Sequence, residues 1–288
     1  MSSPPDLPPL LYEDLVRAAL HEDLGAAGDL TSDAIVGEGR RTAARIVARM
    51  PGRLAGIGVA AHVFRLLDGH VEIALDYRDG DDFDAGQLAT VTGKARALLA
   101  AERTALNLLG RMCGIATATR DAVAEIAGTK ARIVCTRKTM PGLRVLDKYA
   151  VRAGGGDNHR YGLHDAALVK DNHIAVAGGI VPAVEAVRAH VGHMTKVEVE
   201  VETLDQLAAL IPLAGIRGVD AVLLDNMDPE TCTRAVEMVD GCMLVEASGG
   251  VTRETVRAFA ETGVDLISIG WLTHSVASLD VGLDIEIH

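Results

Sequence analysis

The sequence predicts an α/β protein whose two halves contain different kinds of sheet, and three observations lead to this prediction. Residues 41–94 contain short stretches that alternate between apolar and polar side chains, which is typical of antiparallel strands. After residue 128, β-branched stretches alternate with helical patterns, which is typical of parallel strands joined by helices. The chain has 288 residues, 49% hydrophobic and 24% charged, so it can bury a substantial core.

The first half is expected to begin with an amphipathic helix over residues 11–24, followed by the antiparallel strands. A helix is expected near residues 59–67. The Ala- and Leu-rich stretch 95–127 is interpreted as two helices, because Gly110 and Gly114 interrupt its pattern. The strands are expected within residues 44–50, 53–57, 70–77 and 87–93.

The second half contains six strand-like stretches, each followed by a helical pattern. Such alternation predicts either an α/β barrel or an open doubly wound sheet. Six units are fewer than the eight of a full barrel, so an incomplete barrel is one expectation. The six stretches are ARIVC at 131–135, AALVK at 166–170, KVEVEV at 196–201, AVLL at 221–224, CMLVE at 242–246 and DLISI at 265–269.

Several of these predicted strands end in charged or small polar residues. The carboxyl ends of parallel strands meet at one edge of a sheet, and barrel enzymes place their chemistry there. The sequence therefore predicts one site built from these side chains. They are Arg137 and Lys138, Lys170 and Asp171, Glu200 and Glu202, Asp225, and Glu246 with Ser248.

The composition argues against several classes of protein. The net charge of −12 disfavours binding to a phosphate backbone, and one Trp, four Tyr and three Phe are too few for base-stacking surfaces. No apolar stretch is long enough to cross a bilayer, and the first ten residues do not resemble a secretion signal. The four cysteines show no CxxC spacing, so a reducing cytoplasm is the expected location.

A cluster of positive charge stands out in this acidic chain. Residues 137–170 contain seven basic side chains and three acidic ones. Arg grips carboxylates and phosphates with two parallel hydrogen bonds, and Lys acts as a point charge, so a pocket for a polyanionic small molecule is expected. The residues assigned to it are Arg137, Lys138, Arg160 and Lys170. Arg144, Lys148 and Arg152, spaced by four, are interpreted instead as an exposed helix face.

The glycine-rich segment 153–160 ends in His159 and Arg160, so it is expected to be a flexible loop that presents both side chains to a ligand. A zinc site made by His159, His164 and His173 is disfavoured. Their spacings of five and nine differ from those of known zinc motifs, and no cysteine accompanies them.

Three glutamates alternate with valines along one predicted strand, so Glu198, Glu200 and Glu202 are expected on a single face. A parallel sheet is covered on both faces, so at least one of them should pair with a cation or a metal. Asp225 is the natural second carboxylate, and such oxygen ligands suit Mg²⁺. A purely structural pairing with Lys170 is the alternative.

Two small-residue turns are expected to bind phosphate. Residues 246–250 follow a predicted strand and precede a helix expected at 252–257, and residues 268–271 form a second such turn. Backbone N–H groups and a helix dipole bind anions at such places, commonly after the last strands of a barrel.

Several segments of the sequence closely resemble those of the quinolinate phosphoribosyltransferase family, the decarboxylating nicotinate-nucleotide pyrophosphorylases. The resemblance covers nearly the whole chain. The strings that carry it are 22–31, AERTALNLL at 101–109, TRKTMPGLR at 136–144, GGGDNHR at 154–160, LVKDNH at 168–173, EVEV at 198–201, LLDN at 223–226 and SGG at 248–250.

The resemblance implies a fold and a reaction. The fold would be an N-terminal α/β sandwich with an antiparallel sheet, over residues 1–114, and an incomplete TIM-like α/β barrel over 115–274, with the tail 275–288 packing on the first domain. The reaction would join quinolinate to 5-phosphoribosyl-1-pyrophosphate with Mg²⁺ and no organic cofactor. Its products would be nicotinate mononucleotide, pyrophosphate and CO₂, in NAD synthesis.

The resemblance also implies roles for individual residues. Arg137, His159 and Arg160 would hold the quinolinate carboxylates, with Thr136 beside them, and Arg103 would come from the other subunit of a homodimer. Lys138 and Lys170 would contact anionic groups of the substrates. Glu200 and Asp225 would lie at the ribose hydroxyls and Mg²⁺, directly or through water. The 5-phosphate would be bound by Ser248, Gly249, Gly250 and Gly270.

Three other functions stay open at this point. A molybdenum-associated paralogue shares several of the strings and would use a different acceptor. A Schiff-base aldolase could use Lys170 as its nucleophile, although the Arg-rich loop argues against it. A non-catalytic barrel that binds phosphate metabolites would bind the ligands and release no pyrophosphate.

Overall fold

The computed structural model describes residues 5–215 and 218–285. Its helices are α1 Glu13–Leu24, α2 Leu30–Ile35, α3 Ile57–Leu67, α4 Ala95–Glu125, α5 Arg144–Ala153, α6 Asp171–Ala177, α7 Ile180–His190, α8 Leu204–Leu210, α9 Pro229–Val239, α10 Val256–Glu261 and α11 Trp271–His274. Its strands are β1 Arg41–Ala48, β2 Gly52–Arg53, β3 Glu72–Leu75, β4 Asp82–Phe83, β5 Gly86–Lys94, β6 Arg132–Val134, β7 Ala167–Val169, β8 Val197–Val201, β9 Ala221–Asp225, β10 Leu244–Ser248, β11 Leu266–Ser268 and β12 Val281–Ile285.

The chain divides into two compact units. Unit 1 consists of residues 1–120, 139–155 and 272–288, and unit 2 consists of residues 121–138 and 156–271. The boundary expected at residue 114 stays a prediction. Within the described helices, none is both long and apolar enough to cross a membrane.

Unit 1 is built on an antiparallel sheet in the order β12-β1-β5-β3. Alternation along β1 places Ala44, Ile46 and Ala48 in the core, and Leu88 and Val91 of β5 are buried as well. Helix α3 is also largely buried. The mixed helix and antiparallel-strand architecture expected for the first half is therefore confirmed.

The prediction of two helices between residues 95 and 127 is wrong, because α4 is continuous from Ala95 to Glu125. Gly110 and Gly114 lie inside it and give room for another segment of unit 1. A Cβ atom on Gly110 would lie 2.6 Å from the Leu279 carbonyl oxygen, and one on Gly114 would collide with the Ala277 carbonyl. The Leu279 amide donates to the Gly110 carbonyl at 2.9 Å. These glycines allow close packing and do not break the helix.

The exposed face expected on α5 is also wrong. Lys148 is fully buried and Arg144 is half-buried, and only Arg152 is exposed. Asp147 beside Lys148 is also fully buried and forms an ion pair with Arg111. The helix is buried from Leu146 to Val151, so charge spacing alone could not reveal which of its faces meets water.

Within its described residues, unit 2 contains six parallel strands in the order β6-β11-β10-β9-β8-β7. Each strand matches one of the six stretches expected from the sequence. Helices follow the strands, and α8, α9 and α10 pack on the sheet or on one another. The fold class is confirmed: an antiparallel α/β unit and a six-stranded parallel α/β unit, fewer strands than the eight of a closed TIM barrel.

Candidate active site

The carboxyl ends of the parallel strands carry most of the side chains assigned to the site. Thr136, Arg137 and Lys138 follow β6, and Lys170 follows β7 directly. Glu200 lies in β8, one residue before its end. Asp225 and Ser248 are the last residues of β9 and β10 and are paired in the ladder. Gly270 follows β11.

Lys170 and Glu200 form the central ion pair of this edge. The Lys170 Nζ donates to the Glu200 Oε2. Glu200 is buried, whereas the Lys170 side chain is 46% exposed. Asp225 is half-buried, and burial raises its pKa. The negative charge of Glu202 also raises this pKa, whereas the positive charges of Lys170 and Lys138 lower it. Lys170 therefore pairs with Glu200 and acts by its charge on Asp225, at neighbouring strand ends, and the charge of Lys138 after β6 also reaches Asp225.

Glu202 differs from the other two glutamates of this segment. Glu198 and Glu200 lie on the same side of β8, as the alternation predicts, but β8 ends at Val201 and Glu202 is exposed beyond it. The Glu202 amide donates to the Gln206 side chain at 2.7 Å, which begins the turn into α8.

A second group contains the arginines and a histidine. Arg137 and Arg160 lie close enough that their charges repel, and burial and this repulsion lower the pKa of Arg160. The Arg160 guanidinium donates to the Ala166 carbonyl at 3.0 Å. Among the described residues, the buried Nε of Arg137 has no hydrogen-bond partner. Two neighbouring guanidinium groups with remaining hydrogen-bond capacity are suited to a dianionic ligand.

His159 points to two buried glutamates. Its Nε2 atom lies 2.9 Å from the Glu198 Oε2 and 3.6 Å from the Glu246 Oε1. His164 and His173 do not join this group; the His173 Nδ1 instead accepts from the Lys170 amide at 2.9 Å. Glu246 had been expected at the strand ends, but it lies two residues before the end of β10 and is fully buried.

The small-residue turn after β10 has the backbone that an anion site needs. Gly249 and Gly250 have φ values of 86° and 64°, in the left-handed region that favours glycine. A Cβ on Gly249 would collide with Asn226, whose own φ is 55°. The Asn226 amide donates to the Ser248 carbonyl at 2.9 Å. The turns after β9 and β10 therefore support each other.

The helix expected at residues 252–257 is wrong in its position, because α10 begins only at Val256. The Thr252 amide donates to the Thr255 hydroxyl at 2.9 Å, and this local bond replaces the first helical turn. Gly249 and Gly250 are thus followed by a turn. The strand β11, next to β10 in the sheet, leads to Gly270.

Arg103 is the one assigned residue that lies in unit 1. It is on α4, its side chain is 64% exposed, and its nearest described acidic partner is Glu102 at 3.8 Å. With Asn107, Leu143 and Asp280 it lines a cavity of about 340 Å³. The other assigned residues all belong to unit 2.

Sequence reasoning did not single out Asn226, and it misplaced Glu246. Asn226 was visible only as part of the string LLDN, and its left-handed backbone could have been suspected because Asn tolerates that conformation. Glu246 was read as a strand-end side chain. Because Glu246 comes two residues before Ser248, the sequence could have placed it within the strand and not at the strand end.

The comparisons with known proteins agree over the whole chain. The model of the N-terminal domain of quinolinate phosphoribosyl transferase matches residues 29–113, and that of the C-terminal domain matches residues 115–284. A probable nicotinate-nucleotide pyrophosphorylase (carboxylating) of Bacillus subtilis is 46% identical, covering 96% of this chain and 94% of that protein. The Mycobacterium leprae nicotinate-nucleotide pyrophosphorylase (carboxylating) is also 46% identical, covering 94% and 96%.

A solved structure gives the same result. The crystal structure of NadC from Streptococcus pyogenes superposes with a TM-score of 0.92 at 37% identity, covering 99% of this chain and 100% of that one. Fold and relatives together define an α/β phosphoribosyltransferase class of enzyme, with lysines and carboxylates at the strand ends of unit 2. The chain belongs to the quinolinate phosphoribosyltransferase family.

Proposed function

We propose that this protein transfers the phosphoribosyl group of 5-phosphoribosyl-1-pyrophosphate to quinolinate. The products are nicotinate mononucleotide, pyrophosphate and CO₂, and the reaction serves NAD synthesis. The observation that carries the proposal is the grouping of Lys138, Lys170, Glu200 and Asp225 at the strand ends of unit 2, which also carries two adjacent arginines, in a chain of this family.

The acceptor brings two carboxylates, and Arg137, Arg160 and His159 would hold them. The unpartnered Nε of Arg137 and the mutual repulsion of the two guanidinium groups both favour an anionic ligand here. Thr136, whose hydroxyl oxygen accepts from the Lys138 amide at 3.0 Å, would fix the turn that presents Arg137. Without such cations, the charges of the acceptor and the donor would repel each other.

The donor would lie across β8, β9 and β10. Ser248, Gly249, Gly250 and Gly270 would bind its 5-phosphate through backbone N–H groups, which the positive φ values at Gly249 and Gly250 support. Lys138 and Lys170 would contact its other anionic groups. Glu200 and Asp225 would accept from the ribose hydroxyls.

Mg²⁺ is the metal that this edge would accept. Two carboxylates on neighbouring strands form the small set of hard oxygen ligands that Mg²⁺ prefers, with substrate phosphates and water completing its shell. Burial raises the pKa of Asp225 and so disfavours its ionised form, which a cation bound beside it would stabilise. When bound, the metal would neutralise charge on the pyrophosphate.

The reaction then depends mainly on positioning and charge. As the bond from ribose C1 to pyrophosphate breaks, positive charge develops on the sugar, and Glu200 and Asp225 can stabilise it. The quinolinate ring nitrogen forms the new bond to C1 and becomes a pyridinium. The electron pair left when the 2-carboxylate departs as CO₂ is accommodated by this pyridinium, and a proton replaces the carboxylate. No covalent enzyme intermediate is needed.

A homodimer with a shared site is part of the proposal. Arg103 would reach the quinolinate of the other subunit, and its 64% exposed side chain supports a role outside its own unit. We also place the protein in the cytoplasm. The four cysteines of the sequence show no CxxC spacing, which fits a reducing compartment.

The test is a pyrophosphate-release assay with donor and Mg²⁺ and three acceptor conditions: quinolinate, nicotinate and none. We expect release only with quinolinate, accompanied by one CO₂ per pyrophosphate. Release with nicotinate at an equal rate would contradict the proposed acceptor. Binding of both substrates without any release would favour a non-catalytic barrel.

A further inference from the structure

Glu246 is a buried acid that the proposed reaction does not use. Its side chain is 1% exposed, and its Oε1 atom has no hydrogen-bond partner among the described residues. It borders a cavity of about 400 Å³ that is also lined by the first residues of β8, β9, β10 and β11. An ionised carboxylate without a partner is costly at such a place.

The hydrogen bonds of His159 determine which of its ring nitrogens carries the proton. The Arg160 amide donates to the His159 Nδ1 at 2.8 Å, so Nδ1 must accept. The proton of a neutral ring therefore sits on Nε2, which points to Glu198 at 2.9 Å and to Glu246 at 3.6 Å. A second proton on Nδ1 would face the Arg160 N–H group. The ring cannot neutralise Glu246 by taking up a proton there.

We propose that Glu246 is a positioning residue that holds a proton inside the sheet and thereby keeps His159 and the adjacent arginines in the state that binds the acceptor dianion. The proton makes the carboxyl neutral, which leaves Glu198 as the single anion facing the imidazole. This inference rests on the proposed function, because His159 and Arg160, which line the same cavity as Glu246, are proposed to hold the quinolinate carboxylates.

Burial and the neighbouring groups act on Glu246 in different directions, and burial has the largest effect. Burial raises its pKa to about 8, the charge of Glu198 on β8 adds to the rise, and His159 and Ser268 on β11 oppose it. The adjacent rung of β9 is occupied by Leu223, which has no charge. Near neutral pH the carboxyl keeps its proton. As the pH rises through about 8, a second negative charge appears beside His159, and binding of an anion weakens.

The first experiment measures the Kd of quinolinate alone by calorimetry between pH 7 and pH 9, with Glu246→Gln as the test variant. Both acceptor carboxylates stay ionised over this range. We expect the wild-type Kd to rise about tenfold, and that of Glu246→Gln, which is neutral at every pH, to match the wild type at pH 7 and stay flat. Glu261→Gln, an exposed change of the same kind, should follow the wild type.

A steady-state comparison separates positioning from structure. We expect the pH effect in the KM for quinolinate, with kcat differing little between the wild type and Glu246→Gln. A wild-type Kd without pH dependence, or an equal slope in Glu246→Gln, would overturn the inference. A wild type that releases no pyrophosphate with quinolinate at any pH would contradict the proposed function instead.

Two further measurements do not depend on turnover. Infrared titration of the wild type should show a protonated carboxyl band at pH 7 that fades toward pH 9 and is absent from Glu246→Gln; a band absent at pH 7 would overturn the inference. Equilibrium dialysis with Zn²⁺ alone tests the other use of His159, Glu198 and Glu246, whose ligand atoms lie within 4.8 Å of one another. Tight binding of one Zn²⁺ that is lost in Glu246→Gln would overturn the inference, because Glu246 would then serve as a metal ligand and not as a proton holder.

Discussion

Two ion pairs of this molecule each join a basic side chain to a buried carboxylate. They differ in how many hydrogen-bonding groups remain available to a ligand. In unit 1, Arg111 donates to both carboxylate oxygens of Asp147, at 2.9 and 2.8 Å, and to the Thr273 carbonyl at 2.9 Å. In unit 2, Lys170 is 46% exposed and makes a single described contact with the buried Glu200. We call the first pair saturated because Arg111 occupies both oxygens of Asp147, and the second pair open because the Lys170 ammonium keeps hydrogen-bond capacity for a ligand.

The difference shows that burial and charge alone do not identify a functional site. Asp147 is fully buried, and burial raises its pKa even though Arg111 acts in the opposite direction. That is the behaviour of a structural pair, whose desolvation offsets much of its attraction. Lys170 instead lies where Asp225 and Lys138 also interact. Incomplete hydrogen bonding at a strand edge is the more informative signal.

The largest expected effect follows from removing the open pair. Lys170→Ala or Glu200→Gln should lower kcat/KM for the transfer by about 10³-fold, since charge that develops in the transition state loses its partner. Lys196→Ala removes another lysine ion pair, one with 78% exposed lysine, and should leave kcat/KM unchanged. The measurement is steady-state pyrophosphate release, with thermal unfolding as a check. Equal activity of Lys170→Ala and Lys196→Ala would contradict a catalytic role for the Lys170–Glu200 pair.

Breaking the saturated pair should affect stability first. Asp147→Ala leaves the half-buried Arg111 without its partner, so the free energy of unfolding should fall by about 3–5 kcal/mol. The double variant Arg111→Met with Asp147→Leu should recover most of this loss, because well-packed apolar residues avoid the desolvation of both charges. Denaturant titration gives the values. A double variant less stable than Asp147→Ala would contradict the structural role.

The arginine pair should show a smaller and more selective effect. Arg137→Ala and Arg160→Ala should each raise the KM for quinolinate about 10- to 100-fold, because an acceptor carboxylate loses a charged donor. The KM for the phosphoribosyl donor should change much less. Arg132→Ala is the control, since Arg132 is 61% exposed and pairs with Asp157 at the start of β6. An unchanged quinolinate KM in both variants would refute the assignment.

The smallest expected signal is complementation between two variants that are each impaired at quinolinate concentrations below their raised KM. If Arg103 acts across a homodimer, mixed dimers of Arg103→Ala and Arg137→Ala chains contain one intact site. Such a mixture should regain roughly a quarter of wild-type activity after exchange of subunits. The assay is pyrophosphate release from a verified heterodimer. No recovery there would count against a shared site.

Much of this architecture could be predicted, because local patterns determine it. The six β-branched stretches became six parallel strands, and the polar residues that follow them came to one edge. Three of the four failures depend on contacts distant in sequence, whereas the late start of α10 follows from the local bond between Thr252 and Thr255. Gly110 permits the approach of Leu279, Lys148 is enclosed within unit 1, and Glu246 lies inside the sheet. No local pattern reports what a side chain meets from elsewhere in the chain.

The most direct measurement replaces each ion pair by an apolar pair and assays pyrophosphate release at saturating substrates. Arg111→Met with Asp147→Leu should turn over within about threefold of the wild type, since it alters a saturated structural contact. Lys170→Met with Glu200→Leu should fold and release pyrophosphate at least about 10³-fold more slowly. Comparable turnover by both double variants would contradict the account, because the open pair would then have no part in the chemistry.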